Sequence, residues 1–324
     1  FDFGNTRERV HQADLLRQSA DSGVLAAQND LALTVKEQYY TMVENRELLA
    51  VAEKDLANRQ EQLRLARALY KAGNKSPGDV VRAQTTVSTS VFNLNKVRRD
   101  LEIAQQQLLQ ALGFPPLTPL QLVDQVEPEI AERDVTTLLE RAASVRPDLL
   151  AAQKTVEARQ AGLNAAHTTN YPSVSTYAGL TYQGLANGLQ YPAVVAQLQV
   201  SYNVYDGGAR SGVIEQAQGA LQAAEADLLR VRLSVQGEVT SVLAQVVSAE
   251  RNVEAARLAS DASQQGVRIA FGRYKAALGT LTDVFDAQNQ FLSAGNNLAS
   301  AQADLSRSRA RLRHALAAPF AEGY

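Results

Sequence analysis

Two kinds of hydrophobic spacing run along this chain of 324 residues, and each predicts a different element. The first recurs every seven residues. Val80, Val87, Leu94, Leu101 and Leu108 occupy successive heptad positions, as do Val284, Phe291, Leu298, Leu305 and Leu312. On the stretches before them, Leu49, Leu56, Leu63 and Tyr70 keep the spacing, and so do Val253, Ser260, Val267 and Tyr274. A sustained heptad keeps one seam of a helix facing a neighbour, so it predicts coiled-coil packing. Ala52, Ala66, Ala256 and Ala270 add small residues along the seam and let backbones approach closely. With no proline in 1–76 or 193–318, the pattern predicts long arms over 5–72 and 209–277 and return arms over 79–112 and 283–316. At about 1.5 Å per residue the long arms would each span roughly 100 Å and the return arms about half that. Gly73-Asn74-Lys75-Ser76-Pro77-Gly78 breaks the first hairpin. Ala277-Leu278-Gly279-Thr280-Leu281-Thr282 is expected to form a tighter, more apolar second turn. Helices so long and so thinly apolar need partner helices from other hairpins or other subunits.

The second spacing is two residues. Val194, Ala196, Leu198, Val200, Tyr202 and Val204 alternate with Gln197, Gln199, Ser201 and Asn203. More weakly, Val174, Ala178, Leu180 and Tyr182 oppose Ser173, Ser175, Gly179 and Thr181. Period-two alternation predicts two strands, with 184–188 as the connecting loop. Charge changes the meaning of this alternation. From Gln160 to Tyr205 there is no Asp, Glu, Lys or Arg, and six of the eleven tyrosines lie there. A half-buried soluble strand carries charge on its wet face. A neutral polar face opposed to an apolar one, with Tyr at the ends, is the pattern of strands that cross a bilayer in a β-barrel. Two strands cannot close a barrel, and an open edge is not tolerated in lipid, so strands from several chains or from before Phe1 are required.

An internal repeat organises the rest. Residues 1–113 align with 205–317 without a gap. Tyr70-Lys71-Ala72 matches Tyr274-Lys275-Ala276, Asp79-Val80 matches Asp283-Val284, Ala83-Gln84 matches Ala287-Gln288, and Asp100-Leu101 matches Asp304-Leu305. The chain therefore reads as a tandem duplication. Its parts are a first helical-hairpin repeat (1–113), linker helices (114–170), a β-hairpin (171–206), a second helical-hairpin repeat (207–318) and a tail (319–324). The second repeat is preceded by 114–204, and a complete duplication leads us to expect a matching segment of about ninety residues before Phe1.

Composition narrows the function classes. Lys and Arg number 32 against 34 Asp and Glu, without the basic surplus that nucleic-acid binding needs. There is no Cys, which excludes thiol catalysis, thiolate metal sites and disulfides. His11, His167 and His314 are far apart in the sequence and beside no carboxylate cluster. No phosphate loop, HExxH or GxSxG motif occurs. The expectation is a protein with no catalytic residues, no metal and no cofactor. No apolar run reaches the roughly 18–20 residues of a spanning helix.

Several short motifs then fall in order: Arg146-Pro147-Asp148-Leu149 before an Ala-rich helix, Tyr171-Pro172-Ser173-Val174 opening a strand, and Val204-Tyr205-Asp206-Gly207-Gly208 leading into the second long helix. With the hairpin turns after Tyr70 and Tyr274, these make the chain resemble the outer membrane factor family typified by TolC, over essentially all of 1–317. The resemblance implies a mainly α fold with a small β part: coiled-coil hairpins forming an α-helical barrel, plus strands given to a trimeric transmembrane β-barrel. It implies a passive channel-tunnel of a tripartite efflux or type I secretion system, in the bacterial outer membrane with its helical part in the periplasm. The implied partners are two further copies in a homotrimer, a periplasmic adaptor (membrane fusion) protein, an inner membrane transporter and outer membrane lipid, with no nucleic acid. A soluble coiled-coil scaffold or a periplasmic adaptor is the competing class; the neutral, Tyr-rich island argues against the first, and two equivalent hairpins in place of one argue against the second.

The same resemblance singles out residues. Asp283 and Asp286, with Asp79 and Arg82 in the first copy, are candidates for a periplasmic gate. At i and i+3 the two aspartates share a helix face, where they could equally complement the positive helix N-terminus with Thr282 as cap. Tyr70, Gly73, Gly78, Tyr274 and Gly279 are candidate adaptor contacts at the tips, although the two tyrosines also fit as heptad core residues. Asp148 is read as the opening of a helix. Tyr171, Tyr177, Tyr182, Tyr191, Tyr202 and Tyr205 are candidate membrane-interface aromatics.

Overall fold

The computed structural model describes residues 1–120, 122–123, 127–184 and 190–318. Its elements are α1 (Asn5–Lys71), α2 (Pro77–Ala111), α3 (Val135–Val145), α4 (Pro147–His167), β1 (Ser173–Gly184), β2 (Gln190–Ser201), α5 (Ala209–Lys275) and α6 (Leu281–Ala315). Among the described residues no helix is long and apolar enough to cross a membrane. Each predicted arm is present, within two residues of its expected ends.

The repeat persists into the caps. Asp2 accepts the backbone N–H groups of Gly4 and Thr6, and Asp206 accepts those of Gly208 and Arg210. The hairpin turns also match, which corrects the expectation of a tighter second turn. Both long arms end on a lysine, and both return arms begin six residues later. Asn74 N–H closes onto Leu69 C=O and Leu278 N–H onto Arg273 C=O, at 2.9 and 2.8 Å. This closure needs a left-handed residue after the helix. Gly73 supplies it at φ +73°, and Ala277 supplies it at φ +61°, at a cost of about 1–2 kcal/mol for a residue with a Cβ.

The starts of the return arms differ in chemistry. Ser76 caps α2 by accepting the Gly78 N–H, with Pro77 at the first helical position. Thr280, not Thr282, caps α6: its hydroxyl accepts the Asp283 N–H while the Asp283 carboxylate accepts the Thr280 N–H. At α4, Pro147 again opens the helix, and Asp148 ion-pairs with Arg146 at 2.7 Å.

The chain forms two compact units. Residues 1–27 and 143–236 make the first. Here α4 rests on the start of α1 through Leu15, Ala158 and Ala161, and Ser19 Oγ donates to Ala151 C=O at 2.9 Å. β1 and β2 form a two-stranded antiparallel sheet in which Val174 faces Val200, Thr176 faces Leu198 and Leu180 faces Val194. The predicted apolar positions of both strands thus share one face, while Ser175, Tyr177, Val195, Gln197 and Gln199 share the other. Pairing stops at Ser173 and Ser201, short of the predicted end at Val204. The next partner of the ladder would be Pro172, which has no N–H to give. The expected loop over 184–188 lies, apart from Gly184, outside the described residues.

Residues 28–142 and 237–324 make the second unit. Leu63, Ala66, Ala83, Val87, Tyr274, Leu281 and Val284 form its main cluster, the predicted heptad seams of four helices meeting. A second cluster joins Met42, Ala104 and Leu108. Between them lies a buried polar layer that the apolar pattern did not show. Asp55, 1% exposed, accepts Arg59 Nε at 2.8 Å, Ser90 Oγ at 2.7 Å and Gln288 Nε2 at 2.8 Å. Arg59 also donates to Asn289 Oδ1 at 2.9 Å. Nearby, Gly295 of α6 lets α1 approach: an added Cβ would lie 3.0 Å from Val51 Cγ1. Gly295→Leu is expected to destabilise the protein by about 1–3 kcal/mol through overpacking, read as a lower denaturant midpoint at unchanged slope.

Candidate functional site

Both hairpin turns of the second unit come together at the candidate tip, and they are tied by unlike groups. Tyr274, ending α5, is 0% exposed and packs in the main cluster. Its hydroxyl donates to Asp79 Oδ2 of α2 at 3.4 Å. Burial first, and the Asp79 carboxylate next, push the Tyr274 phenol up to about 12. Lys75 of the first turn lies over the Tyr274 ring, 5.0 Å from its centroid, and donates to Gly279 C=O of the second turn at 3.3 Å. The first hairpin's turn is therefore held on the second by one phenol and one ammonium.

The predicted gate residues separate into two roles. Asp79 is half-buried beneath Tyr274, whereas Asp283, Asp286 and Arg82 are exposed. Asp283 is engaged in the α6 cap, and the Thr280 backbone and hydroxyl hold its carboxyl below the usual range. Repeat-equivalent aspartates thus do different work, one accepting a tyrosine and one capping a helix. Among the tip candidates, Tyr70 is 47% exposed while its repeat mate Tyr274 presents no surface. Gly73 and Gly78 are exposed. At Gly279 an added Cβ would press on Arg273 Cβ at 3.2 Å, so the close approach there is already used within the chain. Lys75, central to the geometry, was not singled out in the sequence, because a lysine in a Gly/Pro turn reads as solvated.

In the first unit the aromatic residues mark the two ends of the sheet. Tyr171 precedes β1 and stacks on Phe3 with centroids 5.4 Å apart. Tyr202 and Tyr205 follow β2, and Arg210 sits 5.5 Å over the Tyr202 ring. Tyr182 and Tyr191 lie at the other end, opposite Pro192 and Gln183. Tyr177 departs from the expected pattern: it is mid-strand on the polar face, its ring lying where a Cβ on Gly179 would be, 2.6 Å from the hydroxyl. At the near end, Val174 N–H donates to Phe1 C=O at 2.9 Å and the Phe1 amine donates back to Val174 C=O. This reciprocal exchange is an antiparallel pairing on the edge of β1 that β2 leaves open. No cluster of three or more metal-ligating side chains occurs among the described residues.

The family described as "Outer membrane efflux protein" matches residues 1–114 and 138–318. Outer membrane efflux protein BepC of Brucella suis is 25% identical over 312 residues, covering 94% of this chain and 67% of that protein. Protein CyaE of Bordetella pertussis is 28% identical over 303 residues, covering 91% of this chain and 63% of that protein. The chain thus spans about two thirds of the length of the curated relatives it matches. Among solved structures, the outer membrane protein VceC from Vibrio cholerae superposes with a TM-score of 0.85 at 21% identity, over 98% of this chain and 77% of that one.

Proposed function

The chain belongs to the outer membrane efflux protein family, and from that premise we propose that it serves as a passive export duct in a tripartite efflux or type I secretion system. Three copies would pool their strands into a β-barrel in the outer membrane, and the helical hairpins would line a periplasmic tunnel. The chain would do no chemistry. An inner membrane transporter would supply the energy, reached through a periplasmic adaptor that docks at the hairpin tips, where Tyr70, Gly73 and Gly78 offer surface.

The observation that carries this reading is the strand pair. Its register gathers Val174, Leu180, Val194, Leu198 and Val200 on one face and leaves an uncharged, mostly polar face opposite, interrupted by Val195, which suits lipid on one side and a wet lumen on the other. The tip supports the gating part. The Tyr274–Asp79 and Lys75–Gly279 contacts hold the two hairpins of one chain together, so parting them is the motion that would widen the entrance. Exposed Asp283 and Asp286 from three chains would then ring that entrance with carboxylates, favouring cations.

Size exclusion with and without detergent, combined with vesicle binding, tests the proposal. The expected result is a detergent-dependent trimer that partitions into vesicles. Leu198→Arg, mid-strand on the apolar face, is expected to weaken insertion by about 2–4 kcal/mol, whereas Gln197→Arg on the polar face is tolerated. A detergent-indifferent monomer or dimer, or equal effects of the two arginines, would point to a soluble scaffold instead.

A further inference from the structure

None of the three histidines stands beside a carboxylate cluster in the sequence, and the fold changes this for one of them. His314 lies in the last turn of α6 with its side chain 13% exposed. Its Nε2 is 2.7 Å from Asp30 Oδ1 on α1, and its Nδ1 is 3.5 Å from Glu238 Oε1 on α5. Asp30 and Glu238 therefore approach one imidazole from two different helices.

The chemistry of the ring decides what this arrangement can be. A neutral imidazole has one donor nitrogen and one acceptor. If Nε2–H serves Asp30, then Nδ1 turns a lone pair toward the Glu238 carboxylate, two acceptors face to face. Nδ1 is buried and has no hydrogen-bond partner within the normal range. With a second proton on the ring, both nitrogens donate and both carboxylates accept, and the orphaned position is satisfied. Two neighbouring cations of α6 pair with other carboxylates. On α6 itself, Arg311 pairs with Glu37 of α1 at 2.6 Å. Arg313 Nε lies 3.6 Å from Glu127, which also takes Lys36.

We propose that His314 is a proton-held clasp that ties α6 to α1 and α5 at once, and that losing the proton frees the α5 side of the joint. The Glu238 carboxylate beside Nδ1 most strongly raises the ring's affinity for the proton; burial opposes this, and Asp30 adds to it. The sign follows from linkage. A group whose folded pKa is raised contributes stability that is fully present below about pH 6.5 and is lost as pH rises through the folded value. The joint is thus closed at acidic pH and loosens as pH rises through the ring's folded value, which lies above that of free imidazole.

Two measurements on the full chain in detergent test the clasp. With 13C-labelled histidine there are only three ring signals to follow. His314 should titrate above the free-imidazole value of about 6.5, and Glu238→Gln should lower its titration point. Hydrogen exchange of the α5 amides around Glu238, corrected for intrinsic rate, should rise between about pH 6 and 9. The rise should reach up to about tenfold for each unit by which the ring's pKa exceeds that of free imidazole. In His314→Gln that rise should disappear. A His314 signal titrating at or below the free-imidazole value of about 6.5, or a rise in exchange that persists in His314→Gln, would overturn the proposal. If His314→Gln does not fold, the ring titrations of the native chain and Glu238→Gln still decide it.

Discussion

Asp55→Ala is expected to destabilise the protein by about 3–5 kcal/mol, because it breaks a buried ion pair from one side only. Arg59, itself buried, would keep its charge with Asn289 as the remaining acceptor. Ser90 Oγ on α2 and Gln288 Nε2 on α6 would lose the oxygens they now share. The cost is thus mostly an uncompensated charge, plus two orphaned donors at about 1–3 kcal/mol each if nothing replaces their partner. The double variant Asp55→Leu/Arg59→Leu removes both charges together and should be clearly less destabilised than Asp55→Ala. Denaturant unfolding of the single and double variants separates the two cases. A single-variant loss below about 1 kcal/mol would mean that water reaches the layer and solvates the arginine.

The second large effect belongs to Tyr274. Tyr274→Ala empties a fully buried ring site between four helices and is expected to cost about 3–5 kcal/mol. Tyr274→Phe keeps the packing and loses only the donor to Asp79, for about 0.5–1.5 kcal/mol. The alanine variant should lower the unfolding midpoint strongly, and both variants should speed hydrogen exchange in the first turn, which Tyr274 holds through Asp79 and Lys75. If the phenylalanine variant leaves the first turn as protected as before, the phenol contributes nothing to the latch and packing alone holds it. The raised phenol also has a pH consequence. Because the folded value is about 12 against roughly 10 in the unfolded chain, the stability it gives is intact below about pH 10 and lost as pH rises toward 12.

Much of the architecture was readable in the sequence because heptad and two-residue spacings are direct images of helix seams and sheet faces. The repeat register placed every long arm, and it held down to the hydrogen bonds of Asp2 and Asp206. What the pattern did not show depends on contacts between residues far apart along the chain. Asp55 and Arg59 look like an ordinary solvated i, i+4 pair on a helix, and only the arrival of Gln288 from the second repeat closes them off. His314 looked isolated because Asp30 lies 284 positions away. The cap of α6 was misplaced by two residues, since Thr280 and Thr282 are equally good caps until the turn geometry selects one. At the tip, identical residues in the two copies diverged: Tyr70 is at the surface and Tyr274 is buried. Duplication preserves the backbone, while each copy's neighbours decide what its side chains meet.

The position of α1 between two kinds of partner sets an order of events for the growing chain. Its contacts with α2 close short loops, as between Arg67 and Gln84, 17 positions apart, or Asp55 and Ser90, 35 apart. Its contacts with α6 join residues 226 to 284 positions apart. Loop closure makes the near contacts cheap and the far ones slow. The first hairpin can therefore zip up while the second is still unmade, leaving Asp55 and Arg59 half wet until Gln288 arrives. The same layer that later stabilises the protein thus acts first as a checkpoint on alignment: an α6 docked one heptad out would bring Leu281 or Gly295 to the carboxylate in place of Gln288, leave it short of a donor, and fall away to try again.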